Sequence, residues 1–272
     1  MKKRIITAAV LVPVLFAVLF AAPKIVTAIL VAVLTAFAAY ELLIGTGLVR
    51  HVRLVAYSAA AAFLIPVLTY FSAGGVWIKL LILVYFCLLF AEMMLSHIKV
   101  RFEKICICMI AALLIPYLLS SLVRIILMDH GRYLILMPFV AAFLSDTGAY
   151  FIGCKYGRRK LAPVISPNKS VEGVIGGLIF SVLGMLLYSI ILDLVFPFQA
   201  NYLLAVLYGV LGTGAGVFGD LCFSVVKRQT GIKDYGKLFP GHGGVLDRFD
   251  SVIVVCPLIE VLLILLPVVT RV

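Results

Sequence analysis

Charge is what this sequence is short of. Only 13% of its 272 residues are Asp, Glu, Lys or Arg, about half the roughly 25% of an ordinary soluble domain. The shortage is uneven, with 12 acidic residues against 23 basic ones. Polar stretches long enough to make a soluble domain are missing, so the chain carries none. Cysteine pairs are missing too. Cys87, Cys106, Cys108, Cys154, Cys222 and Cys256 lie nearly all inside apolar runs. No two fall in loops on the outer face, which excludes a disulfide framework. Cys106 and Cys108, two residues apart, point in different directions on a helix and read as packing rather than a metal pair. No internal repeat is evident, so an inverted-repeat transporter gains no support.

What fills the chain instead is hydrophobic sequence, 64% of it. Apolar runs of about 18 residues or more are long enough to cross a bilayer as helices. Nine are predicted, at 5–22, 25–44, 54–71, 76–95, 105–128, 133–153, 174–196, 202–226 and 251–269. The fold class expected is therefore an all-α integral membrane protein. Met1-Lys2-Lys3-Arg4 before the first run imitates a signal peptide. The run is too long for one and continues into the next without a cleavage site, so it reads as a retained helix.

Basic residues set the orientation. With the N-terminus in the cytoplasm, the inner loops receive Lys2, Lys3 and Arg4, then Arg50 and Arg53, then Lys99, Arg101 and Lys104. They also receive Lys155, Arg158, Arg159, Lys160 and Lys169, and finally Lys227, Arg228, Lys233, Lys237 and Arg248. The outer face gets only Lys24, Arg132 and Arg271. This bias places the long loops in the cytoplasm. The net charge of +11 is thereby a topology signal and not a nucleic-acid signature. It also favours contact with anionic membrane lipids. The expected location is the plasma membrane, multi-pass, with the working face inside.

Two regions differ in character. Residues 1–128 are spans with short loops and read as scaffold. Residues 129–272 hold clustered polar groups and two long cytoplasmic loops, 154–173 and 227–250, and read as the catalytic region. Asp146, in SDTGAYFIG, is a carboxylate inside a span, flanked by Ser145, Thr147 and Gly148. Such a group faces a polar cavity or a partner. Asp220 ends GTGAGVFGD, and Asp220, Ser224 and Lys227 share one helix face. Asp247 and Asp250 stand three apart at the start of the ninth span, where the helix dipole favours negative charge. One of them could be only a helix cap; two caps are not needed. Lys169 and Glu172 lie in SPNKSVEG, with Ser166, Pro167 and Ser170 holding a turn. The run Arg158-Arg159-Lys160 reads as a lipid-facing topology signal. His242 stands between glycines and is suited to a phosphate hydrogen bond or proton transfer. Lys79, Arg124 and Glu260, isolated in their spans, read as snorkelling or interhelical pairing.

The densest feature is 224–250, SVVKRQTGIKDYGKLFPGHGGVLDRFD. Cations, carboxylates and a flexible backbone together suit a polyphosphate and its metal ions. This segment resembles the signature of phosphatidate cytidylyltransferases, S-x-V-K-R, four residues, K-D-x-G, then F-P-x-H-G-G-V-x-D-R-F-D. The chain fits it from Ser224, Lys227, Arg228, Lys233, Asp234 and Gly236 through Pro240, His242, Gly243 and Gly244 to Asp247, Arg248 and Asp250. SDTGAYFIG, SPNKSVEG, the GDL at 219–221 and the opening KRIITAAVLVPVLF are also similar to that family. Two positions depart from its pattern. Phe223 stands where a carboxylate is common, and Ser170 where threonine is common.

The resemblance implies transfer of the cytidylyl group of CTP to phosphatidate, with CDP-diacylglycerol and pyrophosphate as products. It implies Mg²⁺, alone or with a second cation, held by Asp146, Asp220, Asp247 and Asp250. Lys227, Arg228, Arg248 and His242 join Asp220, Asp247 and Asp250 as catalytic candidates. Lys169, Glu172, Ser224, Lys233, Asp234, Gly243 and Gly244 are substrate-binding candidates. The partners expected are CTP, phosphatidate and membrane lipids, with no nucleic acid. The oligomeric state stays open, a homodimer included. A CTP-using enzyme of another lipid, whether a different lipid phosphate or a polyisoprenoid alcohol, is the nearest alternative. A transporter using Asp146 and Glu260 is a more distant one.

Overall fold

The computed structural model describes residues 18–20, 22–71, 75–96, 100–238 and 243–271. The chain divides into two compact units, Met1–Asp129 with Gln229–Phe249, and His130–Arg228 with Asp250–Val272. Seven helices among the described residues are long and apolar enough to cross a membrane. They lie within a few residues of the predicted runs from 25 onward. The eighth of those runs is a helix of 14 residues, Val252–Leu265, about 21 Å long at 1.5 Å per residue. The expected first span, 5–22, falls mostly outside the described residues. The described residues are mostly helical, with membrane-length helices and two short β ladders.

In the first unit, α1 (Lys24–Tyr40) follows Pro23 and runs into a π-helical turn, Glu41–Gly45. It packs on α2 (Val52–Phe71), with buried Thr35 Oγ1 donating to Ala62 O at 2.8 Å. Buried polar contacts join the next two helices, α3 (Val76–Leu95) and α4 (Phe102–Leu127). Ser58 Oγ of α2 lies 2.7 Å from Tyr85 Oη of α3, which donates to Cys108 O of α4 at 3.1 Å. Such side-chain bonds tie apolar helices where the hydrophobic effect alone gives no preference for helix over lipid. The segment Gln229–Phe249 belongs to this unit and ends in a helical turn, Leu246–Phe249.

The second unit is built from α5 (Met137–Tyr156), α6 (Val171–Val195), α7 (Tyr202–Gln229) and α8 (Val252–Leu265). Small residues form the seam between α5 and α6, where a side chain at Gly148 or Gly176 would collide with Phe180 or Ile152. Ser181 Oγ of α6 reaches Ala141 O of α5 and Gly209 O of α7, each at 3.2 Å. Between α5 and α6 the chain makes a hairpin, β1 (Lys160–Ala162) and β2 (Ser166–Ser170). Ser170 then caps α6, its Oγ accepting from Gly173 N at 3.1 Å, which satisfies one of the orphan donors of the first turn. A second short ladder, β3 (Phe198–Ala200) with β4 (Val269–Arg271), closes the other end of this unit. Asn201 caps α7, accepting from Leu203 and Leu204 N–H.

Candidate active site

The second unit gathers four of the predicted groups. Gly219 of α7 lies against the Asp250 carbonyl so closely that a Cβ there would overlap it. This approach carries Asp250, two residues before α8, up to Asp220. Asp220 makes an ion pair with Lys169 Nζ from the end of β2, and both side chains are 23% exposed. Asp250 is buried, at 7% exposure, and accepts from Ser251 N at 2.9 Å. Burial first, then the charge of Asp220 and a hydrogen bond shared with it, push the Asp250 carboxyl well above its usual range. The Ser251 N–H and the Lys227 ammonium pull the other way without prevailing. Like charges placed together in a poor solvent for charge behave in this manner. Asp146 joins through Ser251, whose Oγ donates to Asp146 Oδ2 at 3.2 Å.

Beside this cluster lies a cavity of about 190 Å³ whose lining includes Asp146, Tyr150, Asn168, Lys169 and Ser170. Ser224, one turn beyond Asp220, is buried. Arg228 Nε donates to Ile165 O at 3.0 Å, holding the hairpin to the end of α7. Glu172 is also engaged in structure. Its carboxylate accepts from Arg158 N at 3.0 Å and from Arg159 N at 3.2 Å, fixing the start of the hairpin at the head of α6.

The first unit holds the other predicted groups on the segment 229–249. Asp247 is buried at 8% exposure, and its Oδ2 accepts from Tyr235 N at 2.8 Å and Gly244 N at 3.0 Å. Gly243 has φ +85°, and a side chain there would press on the Asp247 carboxylate. Lys233, Asp234 and Arg248 are exposed. His242 lies outside the described residues.

One group was not foreseen. Glu41, in the π-helical turn after α1, is buried at 4% exposure. It accepts from Val245 N at 3.0 Å and Leu246 N at 2.9 Å. The signal was present in the sequence. An ionisable residue inside the apolar run 25–44 carries the same weight as Asp146 in its own span.

Among the described residues no three carboxylate, imidazole or thiol groups converge on one point. Mg²⁺ does not need three, because it keeps several waters and binds through one or two carboxylates plus substrate phosphates. The donor set of Asp220 and Asp250 fits that habit. A carboxyl whose ionisation is disfavoured by burial and by a second carboxylate is a place where a divalent cation relieves the crowding of charge.

The sequence profile of the cytidylyltransferase family matches residues 2–266. A phosphatidate cytidylyltransferase of Staphylococcus saprophyticus is 36% identical over 271 residues, 97% of this chain and 99% of that protein. This chain belongs to the cytidylyltransferase family. The Staphylococcus haemolyticus phosphatidate cytidylyltransferase is 36% identical over 88% of this chain and 90% of its own length. The Staphylococcus epidermidis protein of that name reaches 45% over a shorter stretch, 50% of this chain and 51% of its own. The family's signature thus passes through both units, the α7 end and Asp250 in the second and the glycine-rich segment in the first.

Proposed function

We propose that this cytidylyltransferase-family chain transfers the cytidylyl group of CTP to phosphatidate, giving CDP-diacylglycerol and pyrophosphate. The observation that carries the reading is the Asp220–Asp250 pair, crowded, largely withdrawn from water and bridged to Lys169. The relatives' shared name supplies the substrates. A phosphate oxygen of phosphatidate attacks the α-phosphorus of CTP, the bond to the β-phosphate oxygen breaks, and pyrophosphate leaves with that electron pair. A lipid phosphate is already nucleophilic at neutral pH, so no side chain has to be activated as a nucleophile. The chain's task is to hold charge and position.

Lys169, on the wall of the cavity, is suited to bind one phosphate, and Lys227 to balance the charge on Asp250. Lys233 and Arg248 provide exposed cations for the phosphates of CTP. Asp220 and Asp250, with Asp146 behind Ser251, would hold Mg²⁺, and Asp247 is a further candidate ligand. When bound, the ion neutralises the triphosphate and stabilises the departing pyrophosphate.

The basic residues support nine spans with the N-terminus, the hairpin and the segment 229–249 on the cytoplasmic side of the plasma membrane. There a soluble nucleotide can meet a lipid headgroup. Cysteines introduced at 158 and 237 should react with impermeant reagents only in opened cells. Labelling in intact cells would reverse the topology. The activity is tested with purified protein, radiolabelled CTP and phosphatidate in detergent. CDP-lipid with pyrophosphate supports the reading. CDP with a phosphorylated lipid would mean a kinase, and no turnover would leave the transporter alternative.

A further inference from the structure

The glycine-rich segment of the first unit is fastened to a carboxylate about 200 residues away in sequence, and the fastening is specific. Glu41 Oε1 accepts from Val245 N at 3.0 Å and Oε2 from Leu246 N at 2.9 Å. Each oxygen therefore has its own backbone donor. A Cβ at Gly236 or Gly244 would overlap this carboxylate, and a Cβ at Gly45 would overlap the Tyr235 carbonyl. The π-helical turn Glu41–Gly45 is the platform for all these contacts. Such turns interrupt regular helices mostly where a function needs a side chain re-aimed. Asp247 completes the arrangement from the other side, binding Tyr235 N–H and Gly244 N–H. Two buried carboxylates thus clamp residues 235–236 and 243–246 into one path.

We propose that Glu41 is a positioning residue for cytidylyl transfer. It sets the path of the segment that carries Lys233 and Arg248, and through it the binding of CTP. This rests on the reading that those two cations hold the nucleotide's phosphates. Glu41 meets the segment at main-chain N–H groups and glycines, so it acts through them. The two glycines follow from the same cause, since neither position tolerates a side chain while Glu41 stands there.

The test compares Glu41→Ala, Gly244→Ala and the double variant in detergent, with Ser58→Ala as the control. Ser58→Ala removes a buried hydrogen bond in the same unit without touching the segment. Glu41→Ala should raise KM for CTP at least about tenfold and leave KM for phosphatidate within about twofold, while Ser58→Ala changes neither. Gly244→Ala should be severe alone and add almost nothing to Glu41→Ala, because the space it collides with has been emptied. Additive losses, or equal rises in both KM values, would overturn the proposal. Amide hydrogen exchange across 243–249 supplies a reading independent of turnover. It should accelerate in Glu41→Ala and not in Ser58→Ala, and unchanged exchange would equally sink the idea. If the wild-type protein makes no CDP-lipid, the function assigned above fails. The exchange result still decides whether Glu41 holds the segment.

Discussion

The two units use buried carboxylates in opposite ways. In the first, Glu41 and Asp247 each receive two backbone N–H donors. A carboxylate so served is satisfied, and its work is to shape the chain around it. In the second, Asp250 is buried beside a second carboxylate and is pushed well above its usual range by that neighbour and by burial. Asp220 pairs with Lys169 and shares a hydrogen bond with Asp250. These groups shape little and are held at a cost, which is the mark of a site that waits for a charge from outside. Both pairs belong to one signature or contact it, so the signature mixes carboxylates bound to main chain with carboxylates crowded against each other.

The largest effect expected from this contrast is in the second unit. If Asp220 and Asp250 hold Mg²⁺ as proposed, Asp220→Ala and Asp250→Ala should each lower CDP-lipid formation by about a thousandfold or more, since loss of a metal carboxylate removes several kcal/mol of transition-state stabilisation. Glu260→Gln, on α8 more than two turns beyond Asp250, should retain most activity. Stability should move against activity. A carboxyl whose folded pKa is raised contributes its stability in full below its unfolded value, near 3.8. That contribution is lost as pH climbs through the folded value. Above the unfolded value burial of the Asp250 carboxyl is therefore a burden in metal-free protein, and Asp250→Asn should melt at a higher temperature while being inactive. A melting point equal to or below that of wild type in chelator would show that the pair is not crowded as described.

Asp247 tests where the line between the units' carboxylates falls. The Tyr235 and Gly244 N–H groups donate to one oxygen of Asp247, Oδ2, which the amide oxygen of asparagine can replace. Asp247→Ala should lose activity and about 2–4 kcal/mol of stability, because two buried donors are left unmet. Asp247→Asn should keep the stability and still lose about a hundredfold in rate if the charge is needed for metal. Turnover of Asp247→Asn within a few fold of wild type would move this residue into Glu41's class, a shaper of the segment only.

Lys169 should show a smaller and more selective loss. Lys169→Gln removes the charge and leaves a polar side chain one atom shorter. KM for phosphatidate should rise about tenfold, with KM for CTP changing less, if this cation binds the lipid phosphate beside the cavity. A change confined to CTP would reassign it to the nucleotide.

Most of the fold was legible because apolar runs are a one-dimensional signal. The runs from 25 onward became helices near their expected ends, and the polar cluster of the second unit came from residues already singled out. Arg228 and Glu172 show what spacing cannot reveal. Both were expected at the substrate, and both are engaged with main chain of the hairpin. Sequence gives a charged group's type but not whether backbone reaches it first. Glu41 was missed for the complementary reason. Its partners, Val245 and Leu246, are apolar residues whose contribution is the N–H that every residue but proline carries.

The finest test of the contrast is Phe223. It stands half-buried on α7, three residues after Asp220, where the family pattern commonly has a carboxylate. Residues three apart on a helix are neighbours, so a glutamate here could reach the same ion or orient its ligands. The second unit would then hold three crowded carboxylates instead of two, and cation binding would relieve more repulsion. Phe223→Glu should lower the Mg²⁺ concentration for half-maximal CDP-lipid formation by a few fold, with kcat nearly unchanged. The competing role is packing, in which case glutamate against apolar surroundings lowers the yield of folded protein and improves nothing. A magnesium titration of both forms, normalised to folded protein, separates them. A half-saturation point that stays put or rises in the glutamate variant would assign Phe223 to packing and confine the cation's ligands to the aspartates.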